Sequence, residues 1–219
     1  MKEDVILGTL LGDAWIQKAV RKNKIKADNI NYGFSFQQSI EEFTRYKADL
    51  IGLPYTISEY HRFDKRTLKT YTIFNCYISM NKELKKEYYD LFYKPKKEVT
   101  IELLDKLTDL SVAVWYMDDG SLRYDKSGAS LILCVNGFSI EGQFLIIDWF
   151  KEKYDITFRK NAKAIALYSK KDIIKFMDII EQYDIPECMQ YKRYSVAKEK
   201  YNNEMPYERK KFRNNKYKE

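Results

Sequence analysis

Two short stretches carry residues that could do chemistry. "ILGTLLGDA" (6–14) and "VAVWYMDDG" (112–120) each run apolar residues into aspartate: Asp13 in the first, Asp118 and Asp119 in the second. A carboxylate at a helix C-terminus faces the negative pole of the helix dipole, at a cost of up to about 1 kcal/mol. Two such ends side by side form an anionic pocket that bound cations make tolerable, and hard carboxylate oxygens suit Mg²⁺. Aligning Asp13 with Asp119 sets Gly8 against Val114 and Gly12 against Asp118. Asp13 and Asp119 are therefore the expected metal ligands, and Asp118 is expected to bond to nearby backbone or solvent. Taken singly, either aspartate also reads as a solvated helix end, with Gly120 a C-cap.

The elements that would position these carboxylates occur twice. "SIEE" (39–42) returns as "SIEG" (139–142), and "ISMNKELKKEYYDLFY" (78–93) parallels "YSKKDIIKFMDIIEQY" (168–183), in the same order in both halves. A duplicated unit with loops of different length explains that order. Each unit reads as a helix (about 3–14, then about 100–119), two strands, a helix opened by Ser39 or Ser139, further extended segments and a closing helix (81–93 or 170–183). The expected strands are "WIQKAV", "YGFSFQQ" and "KTYTIFNCYIS" in the first half, and "SLRYD", "ASLILCVNGF", "ITFRK" and "AIALYS" in the second. Phe34 and Phe36 alternate with Ser35 and Gln37, the period of a half-buried strand. The sum is an α+β fold of two αββαββα repeats, each with helices on one face of an antiparallel sheet and a polar, basic face left open. Gly8 and Gly12 share a helix face, which permits another helix to approach closely.

Composition narrows the partner. Lys and Arg number 39 against 32 Asp and Glu, a net charge of +7, which suits a polyanion. The excess gathers in "RKNKIK" (21–26), "HRFDKRTLK" (61–69) and "ERKKFRNNKYK" (208–218), beside 19 tyrosines. None of these runs is a basic helix with a bulky apolar face, which argues against a membrane surface. Phosphate contacts and base readout would fall to Gln17, Lys18, Arg21, Lys24, Arg62, Lys65, Arg66, Arg123, Arg159 and Lys163. His61, the single histidine, sits in a basic run and reads as a phosphate or solvent contact. Cys76, Cys134 and Cys188 fit no zinc spacing and read as reduced, buried thiols. No apolar run approaches a membrane span of about 20 residues, and the N-terminus lacks a basic leader and a cleavage site. An intracellular location is expected: an organelle matrix, a bacterial cytoplasm or a phage-infected cell.

"LGTLLGDA" and "AVWYMDDG" resemble the two signature helices of the LAGLIDADG homing endonucleases in their single-chain form with two fused halves. "PKKEV" (95–99) resembles the basic segment that ends the first half, and "IPECMQYKR" (185–193) the Pro-x-Met-Tyr-Lys segment that ends the second. The resemblance implies a first repeat over 1–98, a second over 99–193 and a basic tail over 194–219. It implies sheets forming a saddle whose strands lie in the major groove, with helices on the outer face. It also implies a monomer that cuts both strands of a long, asymmetric double-stranded DNA target by Mg²⁺-dependent hydrolysis, with Mn²⁺ as a substitute. Asp13 and Asp119 would bind the metals, Lys97 and Lys192 would match the basic residues near each cut, and Gln38 and Asn136 would position water. Two other activities accompany the family: binding of intron RNA as a splicing maturase, and DNA binding without cleavage. The frame is expected to be intron-encoded or free-standing.

Overall fold

A computed structural model describes residues 2–20, 30–93, 95–125, 128–162 and 164–204. Arg21, Lys24, Lys163 and the 208–218 run lie outside the described residues. The first half runs α1 (Lys2–Leu11), β1 (Ala14–Val20), β2 (Ile30–Gln38), α2 (Glu41–Ile51), β3 (Tyr55–Asp64), β4 (Lys69–Ile78) and α3 (Lys82–Phe92). The second runs α4 (Ile101–Asp105), α5 (Asp109–Asp119), β5 (Gly120–Asp125), β6 (Gly128–Cys134), α6 (Ile140–Tyr154), β7 (Arg159–Lys160), β8 (Ala164–Leu167) and α7 (Lys170–Glu181). A 3-10 turn (Glu187–Lys192) and α8 (Tyr194–Glu204) follow.

The result is an α+β fold with two four-stranded antiparallel sheets of the same strand order, β1-β2-β4-β3 and β5-β6-β8-β7. α1 and α5 pack together between them. Both helices are apolar all round, the signature of a buried helix: Val5 to Leu11 are buried in α1, and Ser111 to Met117 in α5. On β2, Tyr32, Phe34 and Phe36 point into the core while Gly33, Ser35 and Gln37 are half-buried on the other side. Among the described residues no helix is long and apolar enough to cross a membrane.

Several expected boundaries move. The helix expected over 100–119 is two, because Thr108 starts α5 with a capping box: its side chain accepts from the Ser111 backbone while the Ser111 side chain accepts from the Thr108 N–H. Ser139 caps α6 by accepting from Gly142, but Ser39 caps nothing: the residue preceding α2 is Ile40, without a side-chain cap. Asn81 caps α3 by accepting from the Leu84 backbone N–H. "HRFDKRTLK" is a strand-turn-strand segment: His61–Asp64 end β3, Lys69 begins β4, and residues 65–68 turn between them. β3 itself lay outside the expected strands. "ITFRK" pairs only through Arg159 and Lys160. Residues 194–204, expected as part of a tail, form α8, which lays Tyr194 edge-on against Tyr124 of β5. Of the cysteines only Cys76 is buried, whereas Cys134 and Cys188 are partly exposed.

Candidate active site

α1 ends two residues before Asp13, and α5 ends on Asp118 and Asp119. Glycine brings the two ends together. A Cβ on Gly8 would lie 2.4 Å from the Ser111 carbonyl oxygen and 2.9 Å from the Val114 Cβ. On Gly12 it would lie 2.5 Å from the Asp118 Cβ. The pairs that face each other, Gly8 with Val114 and Gly12 with Asp118, are the aligned positions of the two halves. Asp13 is exposed at this junction and Asp119 is half-buried.

Two lysines offset the negative helix ends. Lys97 Nζ donates to the carbonyls of Gly12 (3.1 Å) and Ala14 (3.3 Å) beyond α1. Lys192 Nζ donates to the last carbonyls of α5: Tyr116 at 3.3 Å, Met117, and Asp118 at 3.4 Å. The Lys192 ammonium takes up carbonyls at the α5 terminus, and the Lys97 ammonium takes up carbonyls of the chain just beyond α1. Desolvation lowers the pKa of both, Lys192 to about 8, against the pull of Asp13, Asp118 and Asp119.

Asp118 is not solvated. Its side chain and that of Lys47 are both fully buried, and Lys47 Nζ lies 2.6 Å from Oδ1. Gln38 Nε2 donates to the same oxygen (3.0 Å) and to Asp13 Oδ2 (2.9 Å), while Asp118 Oδ2 accepts the Asp13 backbone N–H at 3.3 Å. The expected backbone partner is thus present, and a buried lysine stands where solvent was expected. Sequence reading missed Lys47, although a signal existed. Phe43, Lys47 and Ile51 recur at helical spacing on the buried face of α2, and a lysine in such a stripe calls for a buried anion.

The remaining candidates scatter. Asn136 is exposed beyond β6, where it accepts from the Cys134 thiol at 3.4 Å; no described contact joins it to the aspartates. Gln17 faces the open side of the first sheet. Lys18, one residue on, faces the helices and sits 5.2 Å from the Tyr89 ring centroid, because neighbouring strand residues point to opposite faces. Arg62 lines a cleft of about 490 Å³ with Asp13, Gln38 and Asp118. Lys65 and Arg66 lie in the β3–β4 turn, Arg66 bonded to Asp64 at 3.0 Å. Arg123 pairs with Asp125 at 3.4 Å, and Arg159 is exposed on β7. His61 ends up on β3 with Thr72 Oγ1 3.3 Å from its Nδ1.

Among the described residues no group of three or more His, Cys, Asp or Glu could cage a metal. The donors at the junction still fit Mg²⁺, which typically takes one or two carboxylates and fills its shell with water and substrate phosphate. Crowded charge supports the fit. Burial, reinforced by Asp13 and Asp118, pushes the Asp119 carboxyl from 3.8 up to about 7, with Lys97 and Lys192 pulling it down. Without a cation, the stability that this group contributes is full below the unfolded value of 3.8 and is lost as pH rises through about 7. The melting temperature of the wild type in EDTA, taken relative to that of Asp119→Asn, is therefore expected to fall across that window. Added Mg²⁺ should restore it most at the alkaline end; a difference flat with pH would refute this.

Two sheets hung from a closely packed helix pair, with acidic ends on both helices, define the duplicated LAGLIDADG architecture. The sequence model of the LAGLIDADG DNA endonuclease family matches residues 3–176, and the chain belongs to that family. It is 29% identical over 200 residues to probable intron-encoded endonuclease 1 of Wickerhamomyces canadensis, covering 88% of this chain and 83% of that protein. It is 28% identical over 208 residues to the protein RecA of Mycobacterium gastri, covering 86% of this chain but 46% of the relative, so the chain spans about half of that protein. The solved structure of the homing endonuclease I-WcaI bound to its DNA recognition sequence aligns with a TM-score of 0.69 and 24% identity, over 87% of this chain and 84% of that one. That likeness is one of fold.

Proposed function

We propose that the protein is a site-specific endonuclease that hydrolyses both strands of a long, asymmetric duplex target with Mg²⁺, for which Mn²⁺ can substitute. The observation that carries this reading is the meeting of helix ends from both halves: Asp13 and Asp119 repel each other there, beside strand faces left open. Asp13 and Asp119 would hold the cations, which supply Lewis-acid stabilisation of the phosphate and a bound water of lowered pKa. Lys97 and Lys192 keep the helix ends neutral enough to hold both carboxylates together, and their ammonium charge opposes the charge that develops on the phosphate. Gln38 orients Asp13, and Asn136 orients water in the other half. Gln17, Arg62, Arg123 and Arg159 would meet bases or phosphates, with Lys65 and Arg66 at the rim, whereas Lys18, turned towards the helices, leaves the contact set. Arg21, Lys24 and Lys163 complete the proposed contact set on sequence grounds alone. One chain carries both halves, 1–98 and 99–193, so a monomer inside the cell, from an intron-encoded or free-standing frame, suffices.

The halves reach unequally. β3 and β4 pair over ten positions, and β7 and β8 over two, each position adding about 3.3 Å. The first half should therefore read several more base pairs outward from the cut. The test is cleavage of a randomised duplex library in Mg²⁺, with EDTA as control, followed by sequencing of the cut ends. One family of targets, cut on both strands and specified further on one side of the cut, is the expected outcome. Binding without cleavage in both Mg²⁺ and Mn²⁺ would overturn the reading.

A further inference from the structure

Lys47 reaches the site from α2, a helix that carries none of the carboxylates. Its ammonium sits in an apolar enclosure, 4.5 Å from the Phe36 ring centroid and 4.9 Å from that of Phe43, with Asp118 2.6 Å away as its anion. A buried lysine there needs an ionised Asp118, and an ionised Asp118 needs the lysine. The charge then orders its neighbours. Gln38 has one side-chain NH₂, and it spends one hydrogen on Asp118 Oδ1 and the other on Asp13 Oδ2. The other Asp118 oxygen holds the Asp13 backbone N–H. Asp13 is therefore gripped at its backbone and its carboxylate by groups that the Lys47–Asp118 pair fixes.

The second half cannot repeat this arrangement. The counterpart of Asp118 is Gly12, which has no side chain. Counted from the residues at the N-caps of α2 and α6, Ile40 and Ser139, the counterpart of Lys47 is Ile146, an apolar residue buried at the same place on its helix. We propose that Lys47 is a positioning residue for Asp13 alone, so that the two strand cuts depend on it unequally. The proposal rests on the endonuclease reading and adds which strand Lys47 serves.

The test compares wild type, Lys47→Met, Lys47→Arg and the double variant Lys47→Met with Asp118→Asn, on a target labelled separately on each strand. Lys47→Met is expected to slow the cut nearer Asp13 by about ten- to a hundredfold, the scale of a misplaced reacting group. The other strand should be slowed far less, DNA affinity should be unchanged, and nicked duplex should accumulate. Lys47→Arg, which keeps the charge, should restore most of the loss. Should the single variant fail to fold, the double variant, which leaves neither member of the buried pair charged, is expected to fold and show the same one-strand defect. Equal slowing of both strands, or no slowing, overturns the proposal. A second readout needs no cleavage: the Gln38 side-chain NH₂ signals in cation-free protein should move towards solvent-exposed amide values in Lys47→Met, and unmoved signals also overturn it. Wild type that cuts nothing would instead count against the endonuclease reading, leaving the amide signals to decide the role of Lys47.

Discussion

Asp119→Asn is expected to lower cleavage on the order of a thousandfold or more, most at the cut nearer Asp119, with duplex affinity nearly unchanged. Asparagine keeps the shape of aspartate and one oxygen, but not the charge that draws a divalent cation into a crowded anionic site. The same change should make the cation-free protein more stable near neutral pH. Ionising Asp119 there works against burial and against Asp13 and Asp118, which push its pKa up to about 7, and a neutral amide removes that repulsion. A gain in stability with a loss of activity is the mark of a functional site under electrostatic strain. Strand-resolved cleavage assays and thermal melts in EDTA check both halves. A variant that still cuts within about tenfold of wild type would remove Asp119 from the metal site, since losing a charged ligand costs far more than that.

The second large effect falls on the helix pair. Within a helix, glycine to alanine normally gains about 1 kcal/mol through propensity. At Gly8 close approach should win, because the new methyl would sit 2.4 Å from the Ser111 carbonyl oxygen, a backbone atom with little room to move. Overpacking of this kind costs about 1–3 kcal/mol and sometimes more, so Gly8→Ala should lose about 2 kcal/mol net, or about 4–8 °C in melting temperature. Gly12→Ala should lose stability as well, since its methyl meets the Asp118 Cβ, which α5 holds in place, at 2.5 Å and Oδ2 at 2.6 Å. Turning that carboxylate aside also breaks its bonds to Lys47 and Gln38, so cleavage should fall along with stability. Gly137, with nothing within 4 Å of an added Cβ, is the control: alanine there should change stability by less than about 0.5 kcal/mol. Urea denaturation of the three variants measures the contrast, and equal losses at Gly8 and Gly137 would dismiss the close-packing argument.

What could be read from the chain followed the strength of each periodic signal. α1 and α5 were legible because apolar residues on every side, ending in aspartate, admit few other readings. β2 was legible because Phe34 and Phe36 alternate with polar neighbours. β3 was not, because "YTISEYHRFD" is exposed over most of its length and so carries little alternation between a core face and an open face. It is a strand because β4 pairs with it at ten positions, a contact between segments that neither announces alone. β7 failed the other way: "ITFRK" has strand-like residues, but its partner β8 is only four residues long.

By itself the sequence determined that two like segments end in aspartate, that glycines on the first permit close approach, and that the whole is basic. Those are properties of residue type and local spacing. Tertiary structure alone decided that Asp118 is consumed by a buried lysine from another helix, and that Gln38, but no contact of Asn136, reaches the carboxylates. It also decided that Gln17 and Lys18 look in opposite directions. Each of these depends on which segments meet in space, and a pairing between residues some seventy positions apart, like Lys47 with Asp118, is set by how the helices pack rather than by any signal along the chain.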